Sequence, residues 1–460
     1  MVEEKNPVVE DVDEATNSMA ISALIPLLIT FILGTLCLQG FNLVFSDIGK
    51  DIGVSPAQAS LITSLPSIVL GIVCFIYGSL GDFVSLRRLV TFGITILLIG
   101  SIGGFVLTMF LQPNLWVVVV ARILQTAGEQ VAGSSFLVVA TKYLKNSLKA
   151  VFFGLYTAGY QLSASIGVFA AGWFTTMHWQ YLFLIPAVTV FLLPILLQNL
   201  PEQNGSGEKV DVSGFVIFGL AVTFLTLAFS YESWWMVGVA VVLFAAFAVY
   251  INKAKNPFIT PDFFRNVRWL KSVTLIACFF FLTYSVSPIF SAVAQGLYGL
   301  NSGQISNIIV WGYLTAVVTG VFSGAIMRII GRDITLIIAA LLMVIGFFGA
   351  TFVVDKGIVP FAVLISFYYA GNGLIYSPVV STVIDTLPKS ESGRGVGLND
   401  LILAVSASIG VAIIGRMLPG TEATHAEIVS ATNHMLYICG GVAALGLIVF
   451  LLIRGAVDKQ

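Results

Sequence analysis

Long apolar segments separated by short polar ones dominate the pattern of this chain. Each segment has about twenty residues or more, the length that an α-helix needs to cross a bilayer. This pattern predicts an all-α membrane protein with 14 transmembrane helices. The predicted spans are 20–44, 57–81, 88–111, 115–143, 150–174, 179–198, 213–230, 234–252, 270–297, 304–330, 334–354, 358–386, 396–418 and 430–454.

Composition supports this class and narrows the chemistry. Of the 460 residues, 58% are hydrophobic and only 10% are charged, whereas soluble proteins carry about 25% charged residues. The net charge of -1 gives no sign of nucleic-acid binding, and the 3 histidines are too few and too scattered for a metal site. The sequence contains no Walker loop, H-E-x-x-H motif or plausible catalytic triad. We therefore expect a protein that is not an enzyme and needs no cofactor.

Lysine and arginine are unequally divided between the two sides. With the N-terminus inside, the cytoplasmic loops and tails hold eighteen, the outer loops hold three, and Arg122 lies within a span. Because cytoplasmic loops are enriched in Lys and Arg, both termini are predicted to be cytoplasmic. The predicted parts are an acidic tail (1–18), a six-helix bundle (19–200), an inserted two-helix hairpin (205–255) and a second six-helix bundle (256–455).

Two short loops indicate that the two bundles are copies of one unit. Residues 78–88 and 324–333 both begin with glycine and carry basic residues towards their ends. They align if the first six and the last six spans are repeats. Two repeats around a site at the bilayer midplane are typical of secondary transporters.

Glu129 lies deep in an apolar span, with Arg122 two helical turns earlier on the same face. At about 1.5 Å per residue, Glu129 is roughly 20 Å from the start of the span. Ionisable groups at such depth are costly and mark ion paths, proton relays or ligand sites. The two residues are about 10 Å apart along the helix axis, so each is expected to have another partner or to share water. Two interpretations stay open: a proton-carrying carboxyl, or a fixed ion pair between helices.

Several motifs resemble those of the major facilitator superfamily. Gly78, Asp82 and Arg87 are similar to its G-x-x-x-D-x-x-G-R-K loop, with Arg88 as a second basic residue. The span count resembles its drug:proton antiporter branch, which includes the Gram-positive tetracycline exporters. Residues 122–125, 178–194 and 256–264 are similar to that branch's R-x-x-Q motif, its span 6 and the segment before its span 9. Two features differ. Leu38 or Gln39 stands where span 1 usually carries an acid, and Val168 replaces the proline of the span 5 antiporter motif.

The resemblance implies an alternating transporter with proton coupling and a cytoplasmic latch. The residues expected to couple protons are Glu129, Arg122 and Asp400. The residues expected to form the latch are Asp82, Arg87, Arg88, Arg328 and Arg332. The alternatives are ordinary loop charge for the latch and a capping or interfacial acid for Asp400. For Asp385 the capping or interfacial role is favoured.

Polar and aromatic residues at mid-span are the candidates for substrate binding, because the resemblance places most of their spans around a central cavity. Apolar walls with a few polar groups suit an amphipathic ligand of drug size, while helix packing is the alternative role. Tyr284, Tyr313, Tyr368 and Tyr376 belong to this set. The predicted binding residues are Gln39, Asn42, Gln125, Tyr160, Gln161, Trp311, Tyr369 and Asn372.

These inferences together predict a monomeric, proton-coupled exporter of an amphipathic drug or antibiotic in a bacterial cytoplasmic membrane. Its partners would be the small substrate, protons and membrane lipids. An exporter of an endogenous metabolite, lipid or peptide is the nearest alternative. A proton symporter and a non-transporting sensor are the others.

Overall fold

A computed structural model describes residues 13–80, 84–201, 211–387, 392–420 and 422–457. Within these ranges the chain forms helices and turns, with no β-strand. The first helices are α1 (Glu14–Asp51), α2 (Leu61–Leu80), α3 (Leu86–Phe110), α4 (Leu115–Tyr143) and α5 (Asn146–Thr175). Four short 3₁₀ and α-helical pieces from Trp179 to Asn199 together form α6. The other helices of more than five residues are α7 (Val212–Tyr231), α8 (Trp234–Lys253), α9 (Val267–Phe280), α10 (Val286–Gly296), α11 (Ser302–Ile330), α12 (Arg332–Ala350), α13 (Ile358–Ile384), α14 (Ser392–Met417) and α15 (His425–Val457).

Contacts between helix ends define two ends of the bundle. At one end the Lys145 backbone amide bonds Asn17, 3.0 Å away, and Asn266 bonds the Thr386 carbonyl at 3.0 Å. This end also carries Arg87 and Arg332, and we call it the basic end. At the opposite end the Trp179 indole donates to Asp51 at 2.8 Å. We use "N-terminal half" for α1–α6 and "C-terminal half" for α9–α15.

Eleven helical segments of the described chain are long and apolar enough to cross a membrane. The predicted spans at α4, α5 and α9–α10 do not belong to this group. A physical reason is visible for two of these three segments. α4 carries Arg122, Gln125, Glu129 and Gln130, whereas residues 281–285 interrupt the helix between α9 and α10. All three segments nevertheless run from one end of the bundle to the other.

Prolines within the spans expose carbonyl groups that other helices use. Proline removes the helical hydrogen bond to the carbonyl four residues earlier. For Pro378 that carbonyl belongs to Leu374, and it accepts a 3.0 Å bond from Ser323. For Pro288 it belongs to Tyr284, and it accepts a 3.1 Å bond from Asn42. The carbonyl groups freed by these prolines therefore make hydrogen bonds between elements, as expected where backbone polar groups have no water.

The start of α1 differs from the prediction. The first span was predicted to begin at residue 20, but the helix begins at Glu14. The reason is a helix cap: the Asp13 carboxylate accepts the Thr16 backbone amide at 2.7 Å, which satisfies one of the free amides at a helix start. Residues 1–12 lie outside the described part of the chain.

The two helices of the inserted hairpin, α7 and α8, pack against each other, and α7 lies on both α2 and α14. Near the basic end, Phe75 of α2 meets Phe215 of α7 and Phe258, with ring centroids 5.3 and 5.8 Å away. At the opposite end, Glu232 pairs with Arg416 of α14 at 3.1 Å. The hairpin thus contacts both the N-terminal and the C-terminal half.

Small residues allow α1 and α5 to cross closely. A Cβ on Gly167 would collide with the Leu36 carbonyl oxygen, whereas a Cβ on Gly154 would meet no atom within 4 Å. We expect Gly167→Ala to cost about 1–3 kcal/mol of stability, as overpacking does, and to lower the midpoint of thermal unfolding in detergent. Gly154→Ala, the matched control in the same helix, should leave that midpoint unchanged or raise it. Equal midpoints for the two variants would contradict this packing.

Candidate functional site

Glu129 occupies the middle of α4 and is almost completely enclosed. Its exposed fraction is 2%. Neither carboxyl oxygen has a hydrogen-bond partner among the described residues. A buried charge without a partner is strongly unfavourable, so this carboxyl is suited to bind a proton or a donor group of a ligand.

Arg122 does not pair with Glu129. Its guanidinium donates a hydrogen bond to the Gln125 side-chain oxygen and lies 4.5 Å from the centre of the Phe41 ring. The Gln125 amide in turn donates to Ser101 at 2.9 Å and to the Phe183 carbonyl at 3.2 Å. The R-x-x-Q residues therefore connect α1, α3, α4 and α6. The Arg122 charge still acts electrostatically on Glu129.

Tyrosines from both halves lie close enough to the Glu129 carboxyl to interact with it electrostatically. Tyr160 of α5 and Tyr284, in the break between α9 and α10, interact with each other and with Glu129. Tyr284 is 1% exposed and also lies beside Ser67 of α2. Phenol groups can donate and accept hydrogen bonds while their rings contact apolar surface. Glu129 thus lies where the two halves of the chain meet.

A second polar network joins the two halves through α1. Gln39 accepts a 3.0 Å hydrogen bond from Tyr313, and Asn42 donates to Gln39 at 3.3 Å. Ser287 lies 2.7 Å from the Tyr313 hydroxyl and 3.4 Å from the Tyr369 hydroxyl. Three of the predicted binding residues, Gln39, Asn42 and Tyr369, therefore belong to one network.

Asp400 of α14 forms a third group nearer the basic end. Tyr376 of α13 lies beside its carboxyl, and Tyr156 of α5 also interacts with it. Cys74 of α2 interacts electrostatically with both Asp400 and Glu129. The second acid therefore belongs to the same interior region as Glu129.

The other predicted binding residues are placed differently. Trp311 is 69% exposed on the outer face of α11, and the structure does not bring it to these networks. Gln161 of α5 lies against α11, because a Cβ added to Gly320 of α11 would be 3.8 Å from the Gln161 Cγ. Asn372 is half-buried on α13 and lies outside both hydrogen-bonded networks.

The predicted latch is described only in part. Asp82 lies outside the described residues. Arg87 donates to the Leu200 carbonyl at 2.9 Å, and Arg88 and Arg328 are exposed. In the second loop Arg332 pairs with Asp385 at 2.8 Å, which joins the start of α12 to the end of α13. Asp385 is thus the ion-pair partner of Arg332, one of the predicted latch residues.

The sequence analysis did not single out a set of contacts at the opposite end. Asp47 of α1 accepts hydrogen bonds from Ser302 of α11 at 2.6 Å and from Gln295 of α10 at 2.8 Å. Lys50 donates to the Gln295 side-chain oxygen at 2.7 Å. The only sequence signal was the presence of polar residues one turn from the ends of spans. These contacts hold the two halves together at this end.

We expect Asp47→Ala to loosen this end, because hydrogen bonds to a charged group contribute about 1.5–3 kcal/mol each. A cysteine at Val44, which is fully buried, should then react faster with a membrane-impermeant maleimide. Asp51→Ala is the matched control, because Asp51 bonds Trp179 within the N-terminal half. An equal increase from both changes, or none from Asp47→Ala, would show that these bonds do not hold the end closed.

Comparison with known proteins agrees with this architecture. The profile of the Major Facilitator Superfamily matches residues 27–411 and also residues 272–460. The Multidrug resistance protein Stp of Mycobacterium tuberculosis is 20% identical, covering 82% of this chain and 72% of Stp. The Multidrug transporter protein MdtP of Bacillus subtilis is 22% identical, covering 75% of this chain and 65% of MdtP. The Riboflavin transporter RibZ of Clostridioides difficile is 23% identical, covering 91% of this chain and 94% of RibZ.

Solved structures share the fold. A POT family transporter in complex with a thioalcohol-conjugated peptide has a TM-score of 0.67 at 15% identity. The superposition covers 95% of this chain and 96% of the POT transporter chain. A D-xylose-proton symporter has a TM-score of 0.65 at 14% identity, and the superposition covers 95% of this chain and 98% of the symporter chain. The apolar helices, the matching family profile and the relatives together indicate a multi-pass membrane transporter. The chain belongs to the Major Facilitator Superfamily.

Proposed function

We propose that the protein is a proton-coupled exporter of an amphipathic drug or antibiotic. The observation that carries this proposal is Glu129, a buried carboxyl without a hydrogen-bond partner among the described residues, which interacts electrostatically with phenols from both halves. Exchange of a proton for a substrate requires a site that can bind either one. A buried carboxyl can bind a proton or a donor group of the substrate. The names of Stp and MdtP support multidrug substrates.

The proposed topology has fourteen spans, with both termini in the cytoplasm and the basic end facing inwards. The eleven apolar segments are joined by α4, α5 and the α9–α10 pair, which also run the full length of the bundle. The excess of Lys and Arg at the basic end supports this orientation. The membrane would be the bacterial cytoplasmic membrane and the working unit a monomer.

In the proposed cycle, substrate and proton compete for one carboxyl. Substrate arrives from the cytoplasmic side and displaces a proton from Glu129. Asp400, nearer the basic end, lies on the path by which that proton leaves. The halves then change their relative orientation, the substrate leaves outside, and Glu129 takes up a proton there. Such a cycle proceeds only if the two ligands bind unequally to the two orientations.

Flavin transport is the second candidate, favoured by one observation. RibZ is named a riboflavin transporter, and its alignment with this chain covers 94% of the RibZ sequence. A planar ring with several hydrogen-bonding groups would also fit phenols beside a carboxyl and an amide network. Under this proposal the site is the same and the substrate is a metabolite.

Compound-triggered proton movement tests the proposal directly. The full chain is reconstituted into liposomes loaded with a pH-sensitive dye, with a proton gradient across the membrane. Tetracycline, a quinolone, ethidium, Hoechst 33342 and riboflavin are added one at a time. The proposal expects at least one drug to increase proton flux above that of protein-free liposomes. A response to riboflavin alone would favour the second candidate, and no response to any compound would contradict both.

A further inference from the structure

The two halves of the chain meet along two long helix pairs, which we call seams. The first seam is α2 with α14, and the second is α5 with α11. They differ in how they close and in what covers them. This difference shows where a molecule dissolved in the bilayer could reach the Glu129 site.

The first seam is closed along its whole length. Near the opposite end, Gly415 packs against Ser60, and Ser408 donates to the Ser64 carbonyl at 2.8 Å. Further along, a Cβ on Gly71 would be 2.8 Å from the Ala404 methyl carbon. Near the basic end, a Cβ on Gly397 would be 2.6 Å from the Phe75 ring. Close contact thus continues from one end of the first seam to the other.

The hairpin covers the first seam. α7 contacts both α2 and α14, and neither of these two helices has a large exposed apolar side chain among its described residues. Both helices of the second seam do have such side chains. They are Leu155, Leu162, Ile166, Phe169 and Trp173 on α5, and Trp311, Val318, Val321, Phe322 and Ile329 on α11. The second seam therefore faces lipid directly.

The second seam is closed at one end only. At the opposite end Gly172 packs against Ser306, and a Cβ on Gly303 would be 3.1 Å from the Thr176 methyl carbon. Half-way along, Gln161 approaches Gly320. Gly154 and Gly324 lie eighteen residues from Gly172 and Ser306, towards the basic end. Eighteen residues make five complete turns, so these glycines lie on the same helix faces as the closed contact.

At that level the two helix faces have separated. Among the described residues, a Cβ on Gly154 or on Gly324 would meet no atom within 4 Å. The gap leads towards the site. Tyr160, less than two turns beyond Gly154 on α5, stacks on the Phe31 ring of α1, with ring centroids 6.4 Å apart. About one turn further along α1, a Cβ on Gly34 would lie 3.4 Å from the Glu129 Cβ. Less than two turns of α5 therefore separate the apolar opening from the residues packed around Glu129, whose carboxyl has no hydrogen-bond partner among the described residues.

We propose that the basic-end half of the second seam admits substrate from the adjoining bilayer leaflet, while the hairpin seals the first seam. The substrate class is an amphipathic compound that dissolves in the bilayer and carries a cationic or hydrogen-bond-donating group for Glu129. This inference rests on the proposed transport function. It also assigns a role to α7 and α8, which shield one seam from lipid.

Filling the gap tests this route. Gly154→Trp and Gly324→Trp place an indole where the structure leaves space, and Gly238→Trp on α8 is the matched control, since a Cβ there also meets nothing within 4 Å. The probe is Hoechst 33342, a bilayer-soluble cation, whose initial transport rate is measured in liposomes. We expect each seam variant to lose about tenfold or more relative to the control, because an indole is large enough to block the gap. The wild-type rate should follow the dye concentration in the lipid rather than in water.

Unimpaired seam variants, or a wild-type rate set by the aqueous dye concentration, would overturn the route and leave the transport function intact. Transport limited to compounds that stay in water would overturn it as well. Absence of transport of every compound by the wild type would instead contradict the proposed function. If a tryptophan variant is unstable in detergent, Gly154→Leu and Gly324→Leu replace it in the same comparison.

Discussion

Replacing Glu129 with glutamine is expected to abolish compound-triggered proton movement while leaving the protein folded. Neither carboxyl oxygen has a hydrogen-bond partner among the described residues, so the isosteric amide breaks no bond that the structure shows. A glutamine cannot carry a proton through the cycle. In reconstituted liposomes the proton flux of this variant should fall to that of protein-free liposomes, while its thermal unfolding midpoint stays at the wild-type value or above.

Substrate exchange provides a second measurement on the same variant. Exchange of labelled substrate across the membrane without a proton gradient needs binding and reorientation but no net proton transfer. Glu129→Gln should therefore retain exchange of a neutral substrate. Glu422→Gln is the control, because Glu422 is exposed in a loop. Gradient-driven accumulation at the wild-type level by Glu129→Gln would show that coupling depends on another group.

Removing the Arg122 side chain should have the largest effect on stability. Arg122→Ala loses the charge-assisted bond to Gln125, worth about 1.5–3 kcal/mol, and the contact with the Phe41 ring, worth up to about 2 kcal/mol when desolvated. It also leaves the Gln125 side-chain oxygen unpaired in the protein interior. We expect a clearly lower unfolding midpoint and less folded protein in the membrane.

Comparison with other variants separates the contributions of Arg122. Arg122→Lys keeps the charge but lacks the planar guanidinium, and should fall between wild type and Arg122→Ala. Phe41→Leu removes only the ring contact and should cost less than Arg122→Ala. Arg88→Ala, at an exposed position, is the control. If Arg122→Ala unfolds at the wild-type midpoint but fails to transport, Arg122 acts in coupling rather than in holding the helices together.

The apolar pattern predicted most helices within a few residues, because a helix must satisfy its backbone groups internally where water is absent. The prediction was least accurate at the polar residues near the helix ends. The Asp13 cap starts α1 earlier than the apolar residues do. Residues 281–285 divide the predicted span 270–297 near Pro288, although proline positions alone do not show which helices bend.

The depth of Glu129 followed from counting residues along α4, and so did the expectation that Arg122 would find another partner. The identity of that partner could not be predicted from the sequence. Gln125 is one helical turn from Arg122, but Phe41 lies on another helix. Likewise, Gln39 and Tyr313 are 274 residues apart in the chain and form a hydrogen bond. One sequence gives no information about which distant residues meet.

The sequence by itself determined the membrane class, the family resemblance, the location of Glu129 near the middle of a long helix and the uneven distribution of basic residues. These properties are local, since each depends on composition or spacing over about thirty residues or on short motifs. Only the tertiary structure decided that Arg122 binds Gln125 instead of Glu129, that Asp47 bridges the two halves, and that α7 covers one seam while the other faces lipid. Those outcomes depend on which helix faces pack together, and packing is a property of the whole bundle.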